Sequence, residues 1–163
     1  DVLKVKHIMV VGHYGCGGVR AALRGTRVGL VDNWLRHVSD VRLRHRKRLD
    51  HLDPQAQEDA LIDVNVIEQV GHVATSTVLQ DAWARGQNVA VHGLVYGLSD
   101  GLLKDLGVSM ARAESVVETF RNALKRYPRA ATGPHAPPLR GSLPPEGADP
   151  AWGGPAPDRS SRG

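Results

Sequence analysis

From Pro54 to Trp83 apolar side chains return every three or four positions, through Ala60, Val64, Ile67, Val70 and Ala74 and on to Val78, Ala82 and Trp83. That period keeps side chains on one face of a helix. Asp53 and Pro54 suit the cap and first turn of such a helix, Gly71 is a candidate break, and Gly86 a stop. Val28 to Leu43 repeats the pattern through Val28, Val31, Leu35 and Val38, and Arg112 to Tyr127 predicts a last amphipathic helix. Two runs differ in character. His7 to Val11 is a short β-branched run closed by Gly12, and Val89 to Val95 has the same form; both predict buried strands. Asp100-Gly101 and Gly107 mark a turn region. Strands separated by long helical stretches predict an α/β fold with a central parallel-type sheet flanked by helices. Two strands are too few for a self-sufficient sheet, so something that pairs with them is expected in addition.

The pattern stops near Tyr127. Nine of the ten prolines of the 163-residue chain lie at or after Pro128. We therefore expect a domain over residues 1–127 and a Pro/Gly-rich, disordered tail over residues 128–163, whose few large apolar side chains cannot offset the entropy of ordering it. No apolar run approaches the roughly 20 residues of a membrane-spanning helix. A single cysteine excludes an intrachain disulfide, which makes a reducing, cytoplasmic setting the expectation. The chain opens at Asp1 with no charged segment leading into an apolar one, and we read that end as a cut.

Chemistry concentrates in one place. Gly12-His13-Tyr14-Gly15-Cys16-Gly17-Gly18-Val19 follows the first strand directly, where α/β sheets place ligand sites. A histidine nitrogen and a cysteine sulfur three residues apart suit Zn²⁺, and the glycines allow close backbone approach. Taken by itself, an H-x-x-C pair is equally compatible with an inert buried cysteine and a structural histidine. A Walker loop is excluded because Gly18 stands where its lysine must be, and a dinucleotide fingerprint because Arg20 replaces its third small residue. A cysteine nucleophile with His13 as base has no third orienting group.

These residues, with Asn33-Trp-Leu-Arg-His37, Asn65-Val-Ile-Glu-Gln-Val70, Gln80-Asp-Ala-Trp83 and His92-Gly-Leu-Val-Tyr-Gly97, resemble the β-class carbonic anhydrases in order and spacing from about Asp1 to about Val108. The resemblance implies a zinc-dependent lyase that interconverts CO2 and bicarbonate by way of zinc-bound hydroxide. It implies His13 and Cys16 as two metal ligands, Gly17 as a substrate-positioning amide, and Tyr96 as a residue that binds a regulatory bicarbonate in some relatives. The family's other cysteine and its aspartate-arginine dyad belong to a C-x-D-x-R motif that the sequence from Asp1 onward does not contain, so no dyad residue is assigned. A homodimer or higher homo-oligomer is the implied assembly, and the runner-up is a non-catalytic remnant that acts only by association.

Other polar groups receive plainer readings. His7, His37, His72 and His92 fall on predicted strands or helices and are assigned structural hydrogen bonds. Arg42, Arg44, Arg46, Lys47 and Arg48 form a basic cluster without interleaved aromatics, read as a solvated helix end rather than a nucleic-acid surface. Glu114 and Glu118 are expected on an exposed face.

Overall fold

Asp53 starts the longest helix by accepting hydrogen bonds from the backbone amides of Gln55 and Ala56 at 3.1 and 3.0 Å. Two donors that the first turn leaves unpaired are thereby satisfied, and Pro54 supplies a fixed φ without a wasted N–H. In the computed structural model, which describes residues 2–130, this helix runs Pro54–Ala74 and is the axis of the fold. The elements in chain order are β1 His7–His13, α1 Gly17–Arg24, α2 Asp32–Leu49, α3 Pro54–Ala74, α4 Thr77–Ala84, β2 Ala90–Tyr96, β3 Leu103–Met110, a 3₁₀ turn Ala113–Ser115 and α5 Val116–Leu124. The sheet order is β1-β2-β3, with β1 parallel to β2 and β3 antiparallel to β2.

Register explains how α3 lies against the sheet. Ile8, Val10 and Gly12 of β1 share a face with Val91, Gly93 and Val95 of β2 and with Leu106, Val108 and Met110 of β3. A Cβ at Gly93 would sit 2.5 Å from Val108 Cγ1 and 3.0 Å from Val70 Cγ2, and one at Gly12 would sit 2.7 Å from Val66 Cγ2. Only glycine lets the strands approach the helix this closely. Leu61, Val64, Ile67 and Val70 complete the core from the helix side.

Three carboxylates are buried on α3, and each ties the helix to a different neighbour. Glu58 takes a two-pronged contact from Arg20 of α1 at 2.9 and 3.0 Å. Glu68 receives Arg44 and His45 Nε2 of α2, both at 2.5 Å. Asp63 serves the candidate site described below. Arg20 holds the Glu58 carboxyl below its ordinary pKa. Burial pushes Glu68 upward, but the hydrogen bond from His45 and the charge of Arg44 outweigh it, so its pKa also lies low.

Several expectations shift. The third strand was hidden in the stretch read as a turn. The break after α3 falls at Thr75-Ser76, where Ser76 caps α4, rather than at Gly71, whose missing side chain instead admits the Phe120 ring of α5. The second helix begins at Asp32 and runs to Leu49, because Asp32 accepts hydrogen bonds from Val28 and Gly29 and holds them in a turn. The last helix is shorter than Arg112 to Tyr127, opening with the 3₁₀ turn and ending at Leu124. β1 is half exposed, with Met9 65% accessible, since the face it shares with His92, Leu94 and Tyr96 has no helix over it among the described residues. The basic cluster is only partly solvated: Arg42 pairs with Asp50 at 3.6 Å, Arg44 with Glu68, and Arg48 donates to the carbonyls of Leu124 and Tyr127. Of the expected tail, everything from residue 131 lies outside the described residues. No helix among the described residues is long and apolar enough to cross a membrane.

Candidate metal centre

The pairing of β1 and β2 runs one residue past the strand end, where the Tyr14 amide donates to the Tyr96 carbonyl at 3.0 Å. The chain then turns back through Gly15, whose φ of +71° is a left-handed conformation that favours glycine. Cys16 follows as the residue that begins α1, and its carbonyl accepts from Arg20 N at 3.0 Å. One tight turn at the carboxyl end of a parallel strand therefore separates His13 from Cys16, the position at which α/β sheets carry ligands.

The imidazole of His13 has a defined tautomer. Nδ1 lies 3.1 Å from the Tyr14 carbonyl oxygen. A carbonyl only accepts, so Nδ1 is the donor, and Nε2 is the ring nitrogen left over for a metal. Cys16 is a free, half-buried thiol. Its Sγ lies 3.9 Å from where a Cβ on Gly18 would be, and a Cβ on Gly17 would meet nothing within 4 Å, so there is open space at the start of α1. Tyr96 is the register partner of His13 on β2 and shares its face of the sheet, 37% accessible. His13, Cys16, Gly17 and Tyr96 thus gather at one end of the β1-β2 pair.

Nitrogen and sulfur donors of this kind match two corners of a tetrahedral zinc site. Among the described residues no group of three or more His, Cys, Asp and Glu is placed to hold a metal ion. A tetrahedral site at this loop would need its other donors from outside the described residues.

Behind the loop stands a network that the sequence reading missed. Tyr14 OH donates to Asp63 Oδ1 at 2.8 Å, and Tyr127 OH donates to Asp63 Oδ2 at 2.7 Å. Lys104 Nζ of β3 donates to Asp63 Oδ2 at 2.8 Å and to Tyr14 OH at 2.7 Å. Burial raises the Tyr14 pKa, with Asp63 adding to the rise, and pushes Tyr127 far above the ordinary tyrosine range. Burial alone would lower Lys104, but its bonds to Asp63 and Tyr14 leave it raised. A charged lysine and two neutral phenols consequently surround Asp63, and the loop's Tyr14 is fastened to α3 and β3 together. The only sequence signal was an acid inside the apolar stretch of α3.

The histidines read as structural behave accordingly where contacts exist. His7 Nδ1 lies 3.0 Å from His92 Nε2, His92 Nδ1 lies 2.9 Å from Ser109 Oγ, and His72 Nδ1 lies 3.2 Å from Gln69 Oε1. Glu114 and Glu118 are exposed, as expected.

A family model described as carbonic anhydrase matches residues 1–103, which span β1 and the loop with His13 and Cys16. The chain belongs to the carbonic anhydrase family. Its solved relatives place it in the β class: a Coccomyxa β-carbonic anhydrase in complex with acetazolamide is 38% identical with a TM-score of 0.70, over 77% of this chain and 58% of that one. The two tetrameric β-carbonic anhydrases of Sordaria macrospora give 35% identity and a TM-score of 0.60, over 67% of this chain and 56% of that one. A carbonic anhydrase of Emericella nidulans is 40% identical over 124 residues, 76% of this chain and 54% of that protein. The chain spans about half the length of the curated relatives it matches.

Proposed function

We propose that the protein is a zinc-dependent carbonic anhydrase catalysing the reversible hydration of CO2 to bicarbonate and a proton. The observation that carries this reading is the pairing of a metal-ready His13 Nε2 with the free thiol of Cys16 across one turn, in a chain of the β-class family. His13 and Cys16 would hold the metal, together with donors from outside the described residues. Bound there, zinc would supply Lewis-acid chemistry that lowers the pKa of a coordinated water to about 7.

This chain's residues contribute orientation. The Tyr14 carbonyl fixes the His13 ring, and the Asp63-Lys104-Tyr127 network fixes Tyr14, so the donors keep their places when substrate binds and leaves. Gly17, with open space around its Cα, would offer its amide to an oxygen of CO2 or bicarbonate. Tyr96, the strand partner of His13, would bind a second, regulatory bicarbonate. The lone thiol suits a reducing, cytoplasmic compartment. A homo-oligomer completes the proposal: the Sordaria relatives are tetrameric, and Met9 and Val11 lie exposed on the open sheet face.

The test is CO2 hydration by zinc-loaded full chain and by Cys16→Ser. A loss of about a hundredfold or more in the variant is the expected result, since a metal that loses the sulfur donated by Cys16 is no longer held in place. Equal rates in the two would overturn the assignment.

A further inference from the structure

On the other side of α3 from the sheet, a groove of about 520 Å³ opens between α2, the C-terminal half of α3 and α5. It contains no residue of the metal loop. Its volume falls within the range of small-molecule sites. The floor is apolar, formed by Val116, Phe120 and Leu124, with Val117 beside them. The rim is not: Arg44, Arg48, Arg121 and Arg129 all line it, against Glu68 as the only carboxylate among the described residues that do so.

Those charges do not cancel. Glu68 is already engaged by Arg44 and His45. Arg48 donates one nitrogen to the carbonyls of Leu124 and Tyr127, which satisfies hydrogen bonds but supplies no negative charge. Arg121 and Arg129 make no hydrogen bond or ion pair among the described residues. Among the described residues, three guanidinium groups therefore surround an apolar floor without a counter-charge. Burial is the main cause that lowers the Arg48 pKa, and the nearby charge of Arg129 adds to it, so the two guanidinium groups lie close enough to repel. Planar guanidinium forks recognise phosphate oxygens in pairs, and a phosphomonoester carries close to two negative charges at neutral pH.

We propose that this groove is a binding site for a phosphomonoester with an apolar or aromatic body, its phosphate held by Arg48, Arg121 and Arg129 and its body lying on Phe120, Val116 and Val117. The site is separate from the metal centre and does not depend on its metal. Such a ligand would bridge α2, α3 and α5.

Phenyl phosphate is the probe, titrated calorimetrically into the full chain, with inorganic phosphate and phenol as the two half-ligands. Phenyl phosphate is expected to bind about tenfold or more tightly than either half, because the rim and the floor act together. Arg121→Gln and Arg129→Gln are each expected to weaken binding by about tenfold, and Val117→Ser by severalfold for phenyl phosphate but not for inorganic phosphate. Arg121, Arg129 and Val117 are all exposed, so these variants keep the fold. Vesicles with phosphomonoester lipid headgroups separate a membrane source from a free one: capture of the wild type and not of Arg121→Gln, with weaker binding of phenyl phosphate, assigns the headgroup. Three results would overturn the proposal. These are no heat at millimolar phenyl phosphate, equal affinity for phenyl phosphate and inorganic phosphate, or tighter binding of an acidic peptide than of phenyl phosphate.

Discussion

Glu68 shows how one side chain can be both illegible in sequence and decisive in structure. In a helix buried over most of its circumference, an acid reads as part of the polar face, and only the folded chain reveals Arg44 and His45 closing on it. Removing it as Glu68→Ala leaves two polar groups without their partner and should cost about 3 to 5 kcal/mol, measured by denaturant unfolding. Glu68→Gln keeps the shape and should cost less. Asp63 and Lys104 were missed for the same reason, whereas His13 and Cys16 were legible because a metal-binding pair separated by one glycine-rich turn is local in the chain. Glycine is informative too. Gly93→Ala would place a Cβ 2.5 Å from Val108, and a loss of about 1 to 3 kcal/mol is expected from the same measurement.

Among the elements, α3 was the most legible, since Asp53-Pro54 and a sustained apolar period both announce it. Asp53→Ala should cost about 1 kcal/mol, within the usual range for a lost cap, and appear as a lower melting temperature without change in cooperativity. β3 was missed although Leu106, Val108 and Met110 alternate as a strand should. Gly107 concealed it: its φ of +61° sits in the strand itself, where the register of β2 and β3 breaks opposite Gly93. A bulge glycine and a turn glycine look alike in sequence. The second helix was misplaced because Val28 and Val31 continue the apolar spacing of Leu35 and Val38 but belong to the turn that Asp32 holds.

At the scale of the whole molecule, two properties follow from where charge and apolar surface lie. Glu58 and Glu68 have pKa values depressed by folding, so their stabilising contribution is complete above the unfolded carboxylate value near 4.3 and disappears as pH falls through their lower folded values. Unfolding midpoints should therefore drop between about pH 5 and pH 3, and Glu68→Gln should flatten that drop. The second property is the open sheet face with Met9 and Val11, beside the outer edge of β1, which pairs with no further strand among the described residues. Exposed apolar strands at an edge favour association, so the chain should sediment as more than a monomer, and Met9→Lys should shift it toward smaller species.

The central claim, that His13 and Cys16 of this chain are metal donors, is tested most directly by zinc content per chain in the wild type, His13→Ala and Cys16→Ser. Zinc retained through dialysis by the wild type and lost from both variants is the expected result. Equal zinc in all three, or none in the wild type, would contradict it.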